Sequence, residues 1–347
     1  MARLDERPPP RPADRHRLGA TGDGVTTRSQ RLGAGGEFDR LRAIFARLGP
    51  AARDLGDDCA LVSVGGQTLA ITIDLSLEGV HFRTDWLSFR EIGWRATAAA
   101  LSDLAAEGAT PLGVLTSVGL PVRGRGRGKG RADPGTEIMV GVGAAARHVG
   151  AHVLGGDLVR SPRYLVDVCA VGLADRPVRR SGARPDDGLW VTGRLGGAGL
   201  ALRRLQAHRR PERRLRPRFA RPVPRIAAGR WLARRGRGHA MIDISDGLAG
   251  DAGHLAAASG VAIAIELERV PCWPGVTPRD AVRSGEEYEL LVALPRGFGE
   301  RHARAFRRFT GLPLTRIGWC TRGRGVRMLD HGRRITPPSG FDQFPVR

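Results

Sequence analysis

The chain has 347 residues, enough for two domains with buried cores, and its hydrophobic content of 41% is ordinary for a globular protein. No apolar run reaches the ~18 residues that a membrane span requires, and no signal-peptide core follows the N-terminus. The four cysteines lie far apart with no CxxC pair, which excludes a disulfide framework and a structural zinc site and leads us to expect a cytoplasmic protein.

The formal net charge of +21 is concentrated in residues 1–36, 123–131 and 203–237. The last segment carries fourteen arginines against one acid, Glu212, and Lys129 is the only lysine of the chain. Such one-sided usage is more typical of coding bias than of a selected surface. We therefore expect incidental solvated charge, with an accessory polyanion contact as the alternative.

The first half of the chain predicts helices and strands in mixed order. Residues 1–36 are rich in Pro, Gly and Arg and predict a disordered tail. A helix from Phe38 to Leu48 is followed by a β-hairpin, "CALVSV" and "QTLAITID", around Gly65-Gly66. Next comes a helix that begins with the capping box of Ser88 and Glu91. The strand "VLTSVGLP", a flexible loop, the helix "TEIMVGVGAAARHVG", the short strand "AHVLGGD" that ends in a loop, and the strand "YLVDVCAVGLA" complete this half.

The second half follows a Pro/Arg/Asp-rich junction near residues 175–188. The strands "GLWVTG", "AMIDIS", "VAIAIEL" and "ELLVAL" alternate with helices near 197–207, 223–235, 247–259 and 298–309. The prediction is a two-domain α/β (α+β) protein, with a mixed sheet and helices in residues 37–178 and an α/β domain in residues 179–347.

The distinctive feature is a set of aspartates at predicted strand or helix ends, mostly beside Gly, Ser or Thr. They are Asp57, Asp58, Asp74, Asp103, Asp157, Asp243 and Asp246. Several carboxylates in one cleft repel each other unless cations neutralise them, and Mg²⁺ takes oxygen ligands and phosphate oxygens together. A metal-filled acidic cleft without a nucleophile motif indicates phosphoryl transfer.

Structural alternatives exist for several of these positions. Asp246 could cap the helix that follows it, and Asp251 inside that helix is interpreted as a solvated residue. Asp103 is different, because it lies late in a helix, where no cap is needed and the helix dipole disfavours negative charge. On sequence alone, His81 and the pair Glu286 and Glu287 could be structural or simply exposed. The stretch "TGRLGGAGL" resembles a phosphate-binding turn, which alone is weak evidence.

Together these residues resemble the thiamine-monophosphate kinase family of the aminoimidazole ribonucleotide synthetase superfamily. The matching pieces occur in family order over roughly residues 37–344: "GDDCAL", "TIDLSLEGVHF", "ALSDLAAEGATPLG", "GGDLVRSP", "RRSGARPDDGLWVTG", "RPVPRI", "IDISDGLAGDAGHLAAASG", "SGEEYELL" and "GFDQF". The resemblance implies ATP-dependent phosphorylation of thiamine monophosphate to thiamine diphosphate. It also implies two α/β domains and a homodimer formed through the N-terminal domains.

The resemblance further implies roles for individual residues. Several Mg²⁺ ions would be held by Asp58, Thr72, Asp74, Asp103, Asp157, Asp243 and Asp246. Arg180 and Ser245 would contact ATP, while His81, Glu286 and Phe341 would line the thiamine-phosphate site.

The sequence departs from the family pattern at several places. Leu158 follows Asp157 where a threonine is usual, and Ile73 replaces a threonine beside Asp74. In "SGEEYEL", Ser284 replaces glycine and Glu287 replaces aspartate, and in "GFDQF" Phe341 replaces tyrosine and Gln343 replaces histidine. These changes remove or lengthen polar groups near the expected substrate site, whereas the metal aspartates are intact.

A direct in-line transfer is expected, because the acceptor phosphate oxygen is already anionic and needs no general base. One alternative is another ATP-dependent enzyme of the superfamily, such as a selenophosphate synthetase, which needs a reactive cysteine and a lysine early in the chain. Cys59 is the first cysteine here, and no early lysine exists. The other alternative, an Arg-rich nucleic-acid-binding protein, is disfavoured by an aromatic content of only 5%.

Overall fold

The computed structural model describes residues 30–121, 132–338 and 340–344. The predicted flexible loop at 123–131 and residues 1–29 of the predicted tail lie outside these residues. Residues 30–36, which were predicted to belong to the tail, are attached to the rest of the chain. The Gln30 N–H donates to the Leu55 carbonyl (2.9 Å), and the Gly36 N–H donates to the Asp342 carboxylate (2.6 Å).

The N-terminal part contains a mixed sheet covered by helices on one face. Its helices are α1 (Gly36–Leu48), α2 (Phe89–Ala106) and α3 (Pro134–His148), and its strands are β1 (Ala60–Val64), β2 (Gln67–Leu77), β3 (Thr110–Leu120), β4 (His152–Arg160) and β5 (Leu165–Leu173). The strand order is β1-β2-β5-β3-β4, antiparallel except for the parallel pair of β3 and β4. The predicted hairpin is confirmed, whereas β4 continues three residues beyond the strand end that was predicted at Asp157.

Helix α2 lies under the sheet and against α3. Its predicted capping box is confirmed, since the Ser88 side chain and the Glu91 side chain each bond to the other's backbone N–H. The glycines of α3 have a packing role, because a Cβ at Gly141 would lie 2.1 Å from the Arg90 carbonyl oxygen. A Cβ at Gly93 would likewise collide with the Ile138 carbonyl oxygen, so the two helices approach closely only with glycine at both places.

The C-terminal part contains a second mixed sheet with the strand order β12-β11-β8-β10-β6-β9-β7. Its strands are β6 (Gly188–Thr192), β7 (Ala240–Asp243), β8 (Ala262–Glu266), β9 (Leu290–Leu294), β10 (Leu314–Thr321), β11 (Gly325–Asp330) and β12 (Arg333–Ile335). Its helices are α4 (Gly197–Gln206), α5 (Arg216–Ala220), α6 (Ile226–Trp231), α7 (Leu248–Ser259), α8 (Pro278–Ala281) and α9 (Glu300–Thr310), and a π-helical turn over Leu232–Gly236 extends α6. The predicted α/β fold is therefore confirmed, and both of its sheets are mixed.

A continuous apolar core joins the two sheets. Leu104 of α2, Leu232 after α6 and Met241 of β7 belong to one buried cluster. This packing places the C-terminal half of α2 against the end of β7, where Asp243 lies. None of the helices within residues 30–121, 132–338 and 340–344 is long and apolar enough to cross a membrane.

Several arginines of segment 203–237 have structural partners. Arg225 donates to the buried Glu289 carboxylate through Nε (2.9 Å) and a terminal nitrogen (2.5 Å), and Arg218 donates to the same group (3.2 Å). Arg216 pairs with Glu91. The interpretation of this segment as incidental solvated charge is wrong for these residues, because a buried carboxylate such as Glu289 requires a cationic partner.

Candidate active site

Three aspartates from separate parts of the chain meet beneath the first sheet. Carboxylate oxygens of Asp58, Asp103 and Asp243 all lie within 4.8 Å of one another. Asp58 precedes β1, Asp103 lies in the last turn of α2, and Asp243 ends β7. Sequence-distant carboxylates therefore converge as predicted.

Asp103 is held from the neighbouring strand. The Thr72 hydroxyl donates to Asp103 Oδ2 at 2.5 Å, and Thr72 and Asp74 lie on the face of β2 that is turned toward α2. Burial raises the pKa of Asp103 well above its usual value, and the negative charges of Asp74, Asp243 and Asp58 raise it further. Burial, together with Asp167 and Asp58, raises the pKa of Asp74 to about 6.

Asp243 is oriented by the residue that precedes Asp103. The Ser102 hydroxyl donates to Asp243 Oδ2 at 2.6 Å. Burial, with a further contribution from Asp58, raises the pKa of Asp243 to about 8. The cluster consequently favours protons, or another cation, over free negative charge at neutral pH.

The adjacent acids Asp57 and Asp58 have separate roles in the geometry. Asp57 accepts hydrogen bonds from the backbone N–H groups of Arg180 (2.9 Å) and Asp58 (3.2 Å), so it fixes the turn. Asp58 faces the cluster and receives the Arg180 side chain through Nε (3.1 Å) and a terminal nitrogen (2.6 Å). Burial still raises the pKa of Asp58, although the Arg180 guanidinium opposes the shift.

The donor set of this cluster fits Mg²⁺. Its ligand atoms are carboxylate and hydroxyl oxygens, which hard divalent cations prefer. The second oxygen of Asp58, Oδ2, is buried and has no hydrogen-bond partner among the residues that the structure describes. A buried carboxylate oxygen in that state is costly unless a ligand completes it.

A second close group lies beside the cluster and contains Asp246, Asp251 and His254, with ligand atoms also within 4.8 Å of one another. The interpretation of Asp251 as solvated is wrong, because it is 1% exposed and accepts the Gly247 N–H at 3.0 Å. The capping alternative for Asp246 is also wrong, since the N-cap of α7 is Gly247 and no side chain caps the helix. Burial, Glu37 and Asp342 hold the pKa of Asp246 raised at about 6 despite the opposing Arg180 charge.

Two of the predicted substrate residues, His81 and Glu286, contact other side chains. His81 accepts the Leu77 N–H through Nδ1 (3.1 Å), and its Nε2 lies 3.1 Å from the Gln343 side-chain nitrogen. Glu286 forms an ion pair with the buried Arg95, whose guanidinium also donates to the Phe219 carbonyl (2.8 Å). Burial and the Arg95 charge lower the pKa of His81.

The other predicted site residues are Ser245, Phe341 and Asp157. Ser245 lies between Asp243 and Asp246, and its carbonyl accepts the Glu286 N–H at 2.7 Å. Phe341 is 60% exposed, and its N–H donates to the Asp246 carbonyl at 2.9 Å. Asp157 is exposed on β4 and belongs to neither of the two close acidic groups found in the described ranges.

Some residues of the site were missed by sequence reasoning. Ser102 is adjacent to Asp103 in "LSDL", and its position in a buried helix was the available signal. Arg95 is a charged residue in an otherwise apolar stretch of α2, which could have indicated a partner. Nothing local indicated Glu107, whose buried carboxyl has a pKa raised well above its usual value by burial and by the negative charges of Asp57 and Asp58.

The chain is similar to known proteins over most of its length. Residues 56–174 match the family model for the N-terminal domain of AIR synthase related proteins, and residues 184–331 match the model for the C-terminal domain. The thiamine-monophosphate kinase of Salmonella typhimurium is 32% identical, covering 89% of this chain and 98% of its own. The thiamine-monophosphate kinase of Aquifex aeolicus is 33% identical with the same coverages. A solved structure described as AaThiL complexed with AMPPCP and TMP superposes with a TM-score of 0.77 at 30% identity, covering 89% of this chain and 97% of that chain.

Proposed function

The chain belongs to the thiamine-monophosphate kinase family within the AIR synthase related proteins, and from this premise we propose that it transfers the γ-phosphoryl group of ATP to thiamine monophosphate and releases thiamine diphosphate. The observation that carries the proposal is the buried convergence of Asp58, Asp103 and Asp243 within 4.8 Å. No nucleophilic side chain is required in such a site, because the attacking oxygen belongs to the substrate.

In this proposal the aspartates act as ligands. Mg²⁺ ions would be held by Asp58, Thr72, Asp74, Asp103, Asp157, Asp243 and Asp246, as the family resemblance implies. When bound, Mg²⁺ neutralises the phosphate charges and stabilises the charge that develops on the equatorial oxygens. The hydroxyls of Thr72 and Ser102 support this assignment, since each donates to an aspartate and fixes its orientation.

Arg180 has a role beside the nucleotide in this account. Its guanidinium pairs with Asp58 at 2.6 Å. The triphosphate of a bound ATP would be a second anionic partner for this guanidinium, and a bound Mg²⁺ would be a cationic partner for Asp58. We infer that Arg180 turns from Asp58 toward ATP, so that the Asp58 carboxylate becomes available as a ligand.

Thiamine monophosphate is assigned to the side of the cluster that bears His81, Glu286 and Phe341. His81 and Glu286 both interact with Arg95. The Arg95 charge lowers the pKa of His81, and the Arg95 guanidinium forms an ion pair with Glu286. A carboxylate suits the cationic thiazolium ring of thiamine, and Phe341 provides an exposed aromatic face. Gln343 takes the histidine position of the family and retains a polar contact with His81.

We further infer a homodimer formed through the N-terminal sheet. Its strands leave large apolar side chains exposed, including Ile73 at 67%, Leu75 at 50% and Leu158 at 68%. Strand β4 is exposed along its whole length. Several exposed apolar side chains on one sheet are typical of an interface.

The two alternatives have less support. A reactive early cysteine is contradicted by Cys59, because burial and the surrounding carboxylates raise the pKa of its thiol well above the usual value. A nucleic-acid surface loses part of its basis, since Arg216, Arg218 and Arg225 are paired with glutamates.

The test is a product assay with purified protein, ATP and Mg²⁺, offering thiamine monophosphate and thiamine in parallel. We expect thiamine diphosphate and ADP in equal amounts from thiamine monophosphate, and Asp103→Asn should abolish turnover while its circular dichroism stays native. Asp39→Asn, at an exposed position of α1, is the matched control and should retain activity. Absence of ADP formation with both acceptors would show that the assigned substrate is wrong.

A further inference from the structure

We propose that Ser284 and Glu287 act as one unit that caps helix α4 from outside and thereby positions Glu286 for substrate. This inference rests on the proposed function only for the identity of the substrate. The two residues are also the places where "SGEEYEL" departs from the family pattern. Both departures therefore serve the same contact with α4.

Helix α4 cannot cap itself. Its N-cap is Gly196, with φ +90°, and glycine has no side chain that could accept the first N–H groups of the helix. Uncapped N–H groups in a buried position are costly. The partners must therefore come from elsewhere in the chain.

Glu287 and Ser284 supply these partners. Glu287 Oε1 accepts the N–H groups of Gly196 (2.9 Å) and Ala198 (3.1 Å), and Ser284 Oγ accepts the N–H of Gly199 (3.0 Å). The Ser284 hydroxyl in turn donates to Glu287 Oε1 at 2.5 Å. Both residues are buried, at 4% and 3% exposure, and a carboxylate at a helix N-terminus is electrostatically favoured.

These hydrogen bonds argue against a phosphate-binding role for the glycine-rich turn "TGRLGGAGL". Its backbone donors at the start of α4 are occupied by an internal carboxylate, so they are not available to a nucleotide phosphate. Glu287 fills the place that an anion takes at such turns in phosphate-binding proteins. A Cβ at Gly199 would lie 2.4 Å from Ser284 Oγ, so glycine, serine and glutamate are sterically matched here.

Glu286 lies between the two anchors in a demanding backbone conformation. Its φ is +64° and that of Tyr288 is +52°, and both values lie in the left-handed region that disfavours residues other than glycine. The loop is held on its other side by hydrogen bonds from the Glu286 N–H to Ser245 O (2.7 Å) and from the Tyr288 N–H to Ile244 O (2.9 Å). Such a conformation persists when neighbouring contacts fix it, and Ser284 and Glu287 are the flanking contacts.

Residues 284–287 therefore have two separate roles. Ser284 and Glu287 point into α4, whereas Glu286 points toward Arg95 and the substrate side. Loss of either anchor should release Glu286 without touching Asp58, Asp103 or Asp243. Substrate affinity should then fall, while nucleotide binding and metal binding stay unchanged.

The experiment compares Glu287→Gln, Glu287→Asp, Ser284→Gly and the double variant Ser284→Gly/Glu287→Asp with the wild type in two measurements. Hydrogen exchange reports the protection of the amides of residues 196–199, and steady-state kinetics report separate KM values for thiamine monophosphate and ATP. The matched control is Asp133→Ala, which removes the side-chain cap of α3 (2.9 Å to the Thr136 N–H) in the N-terminal part.

For Glu287→Gln we expect amide protection at 196–199 to fall about tenfold or more, and KM for thiamine monophosphate to rise by roughly tenfold with KM for ATP nearly constant. The double variant should lose no more amide protection and substrate affinity than Glu287→Asp alone, because the two residues act through the same contact and their effects are not additive. Asp133→Ala should lower thermal stability and leave both KM values unchanged.

Three outcomes would overturn the inference: unchanged protection at 196–199, equal increases in both KM values, or strictly additive losses in the double variant. Ser284→Ala, which deletes a single hydroxyl, replaces Glu287→Gln if that variant does not fold. If the wild type transfers no phosphoryl group to thiamine monophosphate, the proposed function fails. The exchange measurement still decides whether the two residues form the cap.

Discussion

Replacing Asp243 by asparagine should stabilise the metal-free protein at neutral pH, although it removes a predicted metal ligand. The pKa of Asp243 is raised from 3.8 to about 8, first by burial and then by the negative charge of Asp58. In the unfolded chain the same carboxyl releases its proton near pH ~4. Folding at neutral pH therefore requires the uptake of a proton.

The cost of that uptake follows from the two pKa values. Each pH unit above the unfolded pKa contributes about 1.4 kcal/mol, so at neutral pH the carboxyl costs up to about 4 kcal/mol. Because the folded pKa is the higher one, the cost is absent below pH ~4, grows as the pH rises, and levels off above the folded pKa. Asparagine binds no proton and still accepts the Ser102 hydroxyl through its carbonyl oxygen.

Urea unfolding in the presence of a chelator, followed by circular dichroism, measures this difference. Asp243→Asn should exceed the wild type in free energy of unfolding at neutral pH and converge with it in acid. Asp330→Asn is the control, because Asp330 is a surface carboxylate whose pKa is lowered by its hydrogen bond with Arg279, and it should bring no gain. A less stable Asp243→Asn protein, or a difference that does not change with pH, would refute the reasoning.

Magnesium should narrow the difference in stability between the two proteins. A ligand that binds only the folded state at a hundred times its Kd adds about 2.7 kcal/mol to the free energy of unfolding. The wild type should gain stability when Mg²⁺ and ATP are added. Asp243→Asn should gain much less, since it lacks one carboxylate of the cluster.

Three further expectations concern the scaffold. In urea unfolding, Gly193→Ala should destabilise the fold by more than about 2 kcal/mol, because φ is +64° and a Cβ would lie 2.2 Å from Glu289. Gly65→Ala is the control, with φ +56° and open space around the Cβ, and should cost only about 1 kcal/mol. Arg225→Gln leaves Glu289 with one cationic partner fewer and should cost roughly 3 kcal/mol by the same measurement; a loss below about 1 kcal/mol would mean that Arg218 alone suffices. Ile73→Arg should convert the proposed dimer to a monomer in sedimentation velocity, and an unchanged sedimentation coefficient would place the interface elsewhere.

The sequence predicted the elements whose signals are local. The capping box at Ser88 and Glu91 and the paired glycines of the hairpin report on backbone geometry within a few residues, and both are confirmed. Strands β10, β11 and β12 were not predicted. Residues 314–321 and 325–335 mix arginines with apolar residues, and they form strands because β8 and β6 offer open edges to them.

The candidate site shows the same limit. The aspartate set was visible because acids beside Gly, Ser and Thr at element ends need an explanation, and three of them do converge. The partners of these acids were not visible, since Ser102 and Arg180 reach them only through the tertiary fold. The burial of Asp251 was missed for a related reason, because nothing in "AGDAGHL" records which helix face meets the sheet.

The most direct test of the central claim follows the labelled γ-phosphoryl group of ATP. With thiamine monophosphate and Mg²⁺, the wild type should place the label on thiamine diphosphate. Removal of Mg²⁺ by a chelator or the Asp103→Asn change should stop the transfer, and no labelled protein should form at any time. Label on the protein itself, or transfer that continues without a divalent cation, would contradict an aspartate cluster that works by holding metal ions.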